Sequence, residues 1–247
     1  MQRYFVDNKK DNHFFISGED RHHIVNVMRL KEGDQIICAA SGKSAVCLIA
    51  EITDEQVKAE VVKWEEATAE LPVRVAIASG LPKGDKLEWI IQKGTELGAS
   101  VFIPFAASRS IVKWDDKKAS KKVERWNKIA KEAAEQSHRQ ISPEVISPIS
   151  LKSLIEMSKD YDYKLIAFEE DAKVGESSIL HSTLNRIEAG QSILFVFGPE
   201  GGLTEGEVTR LKESGFLSCG LGPRILRTET APLYALSAVS YKLELMR

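Results

Sequence analysis

The chain has 247 residues, of which 43% are hydrophobic and 28% charged, with a formal net charge of −2. That is ordinary for a folded soluble protein of one large or two modest domains, and it leaves no overall basic excess for nucleic acid. No apolar run approaches a membrane span, the N-terminal MQRYFVDNKK lacks the apolar core of a signal peptide, and the three scattered cysteines have neither metal spacing nor a disulfide framework; the expectation is a cytoplasmic protein without membrane or metal.

Residues 1–70 predict a small β-rich domain. YFV (4–6), HFFIS (13–17), DQIICAA (34–40), SAVCLIAEI (44–52) and KAEVVKWEE (58–66) are short runs rich in β-branched or aromatic residues, parted by the turn signals EGD and SGKS. One helix, EDRHHIVNVMRL (19–30), interrupts them, and regular short strands with one helix suggest a small barrel. His22 and His23 read as one exposed and one packed histidine. The polar EEATAELP (65–72) marks the boundary to a second domain, 73–247.

In the second domain strands and helices alternate. VRVAIAS (73–79) precedes the helix GDKLEWIIQKGTELG, whose Leu87, Ile90, Ile91, Gly94 and Leu97 share one face. Asp85 stands where it can cap that helix. VFIPF (101–105) leads to a long helix through KKVERWNKIAKEAAEQSH with Val123, Trp126, Ile129, Ala130, Ala133 and Ser137 as its buried stripe. The strands YKLIAF (163–168), SILFVF (192–197) and FLSCGL (216–221) follow, then a last helix through APLYALSAVSYKLELM. This is an α/β pattern with a largely parallel sheet. Charge is uneven along it: residues 1–70 hold nine Lys and Arg against thirteen Asp and Glu, while 109–139 hold ten against five. The latter is a local basic stripe or a solvated helix face laced by i,i+4 pairs.

Two loops stand out. FGPEGGLTEGEV (197–208) follows the continuously apolar SILFVF, which reads as a central parallel strand. Thr204 and Glu207 have the spacing of a capping box, so a helix starts there and Gly198–Leu203 form a loop at the strand's carboxyl end, where open α/β sheets bind ligands. Gly201 and Gly202 permit close backbone approach. LGPRILRTETAP (221–232) repeats the strand–loop–helix arrangement, with Thr228 or Thr230 as cap and Pro232 in the first turn. Neither loop has dinucleotide or triphosphate spacing. A ligand between them would be read largely by backbone amides and carbonyls, which suits an adenine edge and a zwitterionic tail. A nucleotide-dependent oxidoreductase would need its phosphate loop at ASGLPKGD, where the glycines are too far apart. A non-enzymatic RNA-binding module would leave both glycine loops without work.

FGPEGGLTEGE and LGPRILRTETA resemble the two C-terminal motifs of SPOUT-class RNA methyltransferases, and more narrowly the small-subunit (16S) ribosomal RNA uridine-N3 methyltransferase family, the RsmE type. LPKGDKLEWIIQKGTELG (81–98), IPFAASRS (103–110), RWNKIAKEAAEQSHR (125–139) and HHIVNVMRLKEGD (22–34) fit the same family in order, so the resemblance covers nearly the whole chain. It implies a SPOUT-like parallel sheet with a C-terminal trefoil knot, a PUA-like N-terminal barrel that helps grip RNA, S-adenosylmethionine as cofactor, a homodimer, and 16S rRNA of the small ribosomal subunit as partner. The cofactor residues it implies are Gly198, Pro199, Glu200, Gly201, Gly202, Leu221, Gly222, Ile225, Leu226, Arg227, Thr228 and Ala231.

Methylating N3 of a uridine requires removal of a proton or stabilisation of the anion. The candidate bases are Glu200 and Glu229. Glu229 is also an acid in the first turn of a helix, whereas Glu200 has no evident local task. Arginine stays protonated, so Arg109 can hold an anion but cannot act as base. The arginines expected on RNA are Arg3, Arg21, Arg29, Arg109, Arg139 and Arg224. Trp64, Trp89, Trp114 and Trp126 could stack on bases, with Trp126 better suited to the core. In the last helix Leu233, Leu236, Val239, Leu243 and Met246 are more apolar than a surface helix needs, and part of that excess is expected at a subunit interface.

Overall fold

The computed structural model describes residues 1–110, 116–168 and 178–246. They form two compact units, Met1–Glu70 with Ala134–Ser142 and Leu71–Ala133 with Pro143–Arg247.

The first unit is one curled sheet. β1 (Arg3–Phe5) lies parallel to β4 (Gln35–Ala40), and antiparallel pairing continues through β5 (Lys43–Ile52), β6 (Gln56–Trp64), β3 (His13–Ser17) and β2 (Lys9–Lys10). Register shifts between Val46 and Cys47 and between Ile49 and Glu51 add twist to the longest pair. The inward positions Phe14, Ile16, Ile36, Cys38, Cys47, Ile49 and Val57 alternate with outward ones and close a core with Tyr4 and Ile24. The helix expected over 19–30 is shorter. Gly18–His22 is regular, His23–Val27 widens into a π turn, and Arg29 at φ 56 ends it as a left-handed terminal residue, with the Leu30 amide bonded to the Ile24 carbonyl at 3.0 Å. His22 is exposed, while His23 is half-buried with Nδ1 3.0 Å from the Tyr4 hydroxyl.

The chain returns to this unit at Ala134–Ser142, which no local pattern announces. Glu70 holds the return: its carboxylate accepts from the Arg139 guanidinium and from the Gln140 and Ile141 amides at 2.8 and 3.1 Å. Gln140 Nε2 donates to Ser44 Oγ and to the Ala67 carbonyl.

The second unit is a parallel sheet in the order β10 (Ile149–Ser150), β8 (Val101–Ala106), β7 (Arg74–Gly80), β12 (Ser192–Phe197), β11 (Tyr163–Ala167), β13 (Leu217–Cys219), with β9 (Glu144–Val145) also on β8. Alternation gives it two buried faces. Val75, Ile77, Ile193, Phe195 and Phe197 pack against the helices Lys86–Glu96, Asp116–Gln136, Ser178–Arg186 and Thr230–Ser240. Ala76, Ala78, Ile103, Phe105, Leu194 and Val196 face Leu151–Met157 and Glu205–Glu213. Trp126, Ala130 and Ala133 are buried as the helical stripe predicts, and Val123 and Ile129 pack at its margin. The strands β9 and β10 and the helix Leu151–Met157, started by Ser150 Oγ accepting the Ser153 amide at 3.1 Å, are absent from the sequence reading. In the last helix Leu236 and Val239 turn inward to the unit's own core, whereas Tyr234, Tyr241, Leu245 and Met246 are exposed.

Candidate functional site

β12 lies centrally in its sheet, between β7 and β11, so the loop after Phe197 leaves from the middle of the sheet's carboxyl edge. Gly198 and Gly202 are sterically required. A Cβ on Gly198 would stand 2.8 Å from the Gly202 carbonyl carbon and the Leu203 nitrogen, and Gly202 has φ +70. On the β7 side, a Cβ on Gly80 would stand 2.6 Å from Pro199 Cδ. The Gly202 amide closes the turn onto the Pro199 carbonyl at 2.8 Å.

Both halves of the expected capping box are present, and Glu207 does more than cap. One carboxylate oxygen accepts from the Thr204 amide and hydroxyl at 2.8 and 2.9 Å, and the other accepts the Ser108 amide at 2.7 Å. Glu207 is only 5% exposed. Burial alone would raise its carboxyl pKa; the bonds from Thr204 and Ser108 outweigh it and hold the pKa below the ordinary range. The loop after β8 is thereby fastened to the glycine loop. Arg109, exposed in that loop, donates from Nη1 to the Gly201 and Leu203 carbonyls at 2.8 and 3.4 Å.

Glu200 has a local task that its sequence context concealed. It accepts the Lys83 amide at 3.1 Å and Lys86 Nζ at 2.9 Å. Burial raises its pKa, but Lys86 and the backbone amides of Glu200 and Lys83 prevail and the net shift is downward. The same ammonium stands 3.6 Å from Glu229 Oε2. Glu229 occupies the N-cap position of the helix Thr230–Ser240, yet its side chain makes no capping bond, so the cap expected from Thr228 or Thr230 is not the one found. Asp85 likewise sits at the start of the helix Lys86–Glu96 without a side-chain capping bond.

A cavity of about 640 Å³ opens between the two loops. Gly198, Pro199, Glu200, Gly201 and Gly202 line one side and Ile225, Leu226, Arg227, Thr228 and Ala231 another, with Lys86, Arg109, Ala167 and Phe168 completing the wall. Leu221, Gly222 and Arg224 line a smaller recess of about 90 Å³ that shares Ile225, Leu226 and Ala231. Of the acid and arginine candidates for chemistry, Glu200 and Arg109 line this cavity, while Glu229 is joined to it through Lys86, 3.6 Å from that ammonium. Sequence reasoning missed Lys86, Ala167 and Phe168. Lys86 was findable, because it follows the carboxyl end of β7, where ligand-binding loops of such sheets are expected.

The arginines expected on RNA divide. Arg29 and Arg224 are exposed, and Arg21 donates through Nε and Nη2 to the Thr53 carbonyl at 2.9 and 2.7 Å. Arg3 and Arg139 are corrected: they are 6% and 2% exposed and paired with Glu65 and Glu70, so their charge is consumed inside the first unit rather than offered to phosphate. Trp126 is core at 1% exposure, Trp64 and Trp89 are exposed with Lys9 and Lys93 over their rings, and Trp114 lies outside the described residues. Among the described residues no group of three His, Cys, Asp or Glu could hold a metal ion, and no helix is long and apolar enough to cross a membrane.

Comparison with known proteins gives this arrangement a relative at every level. A family model for an RNA methyltransferase domain matches residues 69–240, and one for an RNA methyltransferase PUA domain matches 16–62. The chain is 57% identical to the ribosomal RNA small subunit methyltransferase E of Bacillus subtilis over 100% of this chain and 99% of that one, and 31% identical to that of Mycobacterium bovis over 91% and 84%. A crystal structure of the Neisseria gonorrhoeae methyltransferase E bound to S-adenosyl methionine superposes with a TM-score of 0.82 at 27% identity, covering 97% of both chains. With a methyltransferase model over most of its length and such identity from end to end, the chain belongs to the ribosomal RNA small subunit methyltransferase E family.

Proposed function

We propose that the protein transfers a methyl group from S-adenosylmethionine to N3 of a uridine in the 16S RNA of the small ribosomal subunit. The observation that carries this reading is the cavity of about 640 Å³ walled by both glycine loops, in a family of ribosomal RNA methyltransferases. The donor set fits the cofactor. The loops offer backbone amides and carbonyls, Phe197, Leu203, Ile225 and Leu226 supply apolar surface, and Glu200 at the wall suits a cationic sulfur better than a phosphate. Bound there, S-adenosylmethionine would supply an electrophilic methyl carbon.

The chain's own residues have two tasks: to seat the uracil in line with that carbon and to take the N3 proton. Of the two candidate proton acceptors, Glu229 has the freer carboxylate: its Oε2 takes no hydrogen bond among the described residues, and its side chain, 24% exposed, can turn from Lys86 at 3.6 Å toward the substrate. Glu200 already accepts two donors, and its lowered proton affinity suits a fixed charge rather than a base. Arg224 and Arg227, exposed beside the cavities, face the RNA, and Arg109 braces the glycine loop. Arg21 and Arg29 serve the RNA backbone from the PUA-like unit, residues 1–70 being its main part. The trefoil knot belongs to this reading. It is supported by β12 lying between β7 and β11 while the last helix returns to pack on Lys86–Glu96. A cytoplasmic homodimer completes it, with the exposed Tyr241, Leu245 and Met246 in the contact; light scattering should give twice 27.5 kDa.

Calorimetric titration tests the core of this reading. S-adenosylhomocysteine should bind with measurable heat and raise the melting temperature, while NAD and ATP do neither. Binding of NAD or ATP in place of S-adenosylhomocysteine would overturn it.

A further inference from the structure

We infer that Lys86 is a positioning residue, whose single ammonium ties the carboxylates of Glu200 and Glu229 together and so sets the two glycine loops around the cofactor as one wall. The inference rests on the proposed cofactor site. Three loops from three different strands converge on this side chain. It begins the helix after β7, Glu200 follows β12, and Glu229 follows β13. Lys86 Nζ lies 2.9 Å from Glu200 Oε1 and 3.6 Å from Glu229 Oε2, and it lines the 640 Å³ cavity itself. The Lys83 amide on Glu200 adds a second fastening from the same loop. Without the ammonium, two carboxylates would face each other across the space it fills, and like charges at that range repel.

The charged groups around Lys86 define what a substitution does. Glu200 and Glu229 face it directly, Arg109, Arg227 and Glu205 line the same cavity, and its chain neighbour Asp85 is exposed. Of these, Glu200 accepts a hydrogen bond from it and Glu229 stands within ion-pair distance. The triad carries one net negative charge. Removing Lys86 raises this to two; the two side chains spread apart, and Glu200, which Lys86 and the loop amides hold below the ordinary carboxylate range, regains proton affinity.

The test is binding of S-adenosylhomocysteine across pH 5 to 9, by calorimetry, in the native protein, Lys86→Met and Lys86→Arg. Native binding at neutral pH is the control for the cofactor site, and its failure would strike the proposed function rather than this inference. Lys86→Met should weaken binding about two- to fivefold at neutral pH. It should also shift the acidic limb of the binding profile to higher pH. Lys86→Arg, which restores a cation that can reach both carboxylates, should recover most of the affinity and the native profile. Circular dichroism checks that both variants fold, as a half-exposed side chain allows. If Lys86→Met binds like the native protein, or if its profile runs parallel to the native one with Lys86→Arg no better than Lys86→Met, the positioning role is refuted.

Discussion

Glu207, outside the cavity, fastens the loop after β8 to the glycine loop, and its loss should be felt in both stability and binding. Its two oxygens satisfy three donors: the Thr204 amide, the Thr204 hydroxyl and the Ser108 amide. Glu207→Gln keeps the shape but turns one acceptor oxygen into an amide nitrogen, which must face an N–H. The remaining oxygen keeps one side, so the variant loses either the bonds from Thr204 or the one from Ser108 and leaves that buried amide without its charged partner, at about 1.5–3 kcal/mol. That should lower the melting temperature by about 3–12 °C for a chain of this size. Thr204→Val, which removes only the hydroxyl, should cost about 1 kcal/mol. Cofactor affinity should fall too, because Glu207 is what fastens the Ser108–Arg109 loop to Gly198–Leu203. The pH dependence has a definite sign. The folded pKa is depressed by the bonds from Thr204 and Ser108, so the stabilisation is complete above the ordinary glutamate pKa of about 4.3 and is lost as pH falls through the folded value. Thermal melts by differential scanning fluorimetry from pH 8 down to 3.5 should therefore show a constant gap between native and Glu207→Gln above about pH 5 that closes below it. A variant melting within a degree of native at pH 7, or a gap that widens in acid, would refute the reasoning.

Gly198→Ala should abolish cofactor binding with little loss of folding, since its Cβ would strike the backbone of Gly202 and Leu203 at 2.8 Å; titration with S-adenosylhomocysteine checks it, and retained affinity would mean the loop is not close-packed. Arg109→Ala should weaken cofactor binding about five- to tenfold by freeing the Gly201 and Leu203 carbonyls; unchanged affinity with lost methylation would return Arg109 to the substrate. Glu70→Ala should destabilise the first unit by about 3–5 kcal/mol, because it removes the carboxylate paired with the buried Arg139 guanidinium; urea melts followed by hydrogen exchange of β4 and β5 would read it, and native protection there would contradict it.

What the sequence disclosed was whatever is local. SILFVF is a central strand because five apolar residues in a row need two buried faces, and Thr204 with Glu207 names its own helix start. The strands of the first unit are announced by short β-branched and aromatic runs parted by turn signals such as EGD and SGKS. What stayed hidden depends on distant partners. Glu200 looks idle in its own loop because its donors, Lys83 and Lys86, come from more than a hundred residues earlier. Arg3 and Arg139 look like RNA ligands because their carboxylates are Glu65 and Glu70, far away in sequence. Leu236 and Val239 looked like interface because the helix Lys86–Glu96 and the sheet that cover them are not written in that helix. The strands β9 and β10 have two residues each, too few to show any period. The Ser108 amide on Glu207 belongs to the same class: the capping box was readable, its second use was not.

The central claim is methyl transfer to a uridine N3 in small-subunit RNA. Its most direct measurement incubates the protein and tritiated S-adenosylmethionine with small ribosomal subunits from a strain lacking the enzyme, followed by nucleoside analysis. The account predicts label in 3-methyluridine alone, lost when Gly198 is replaced by alanine. Label in another nucleoside or in protein, or undiminished labelling by the Gly198→Ala variant, would contradict it.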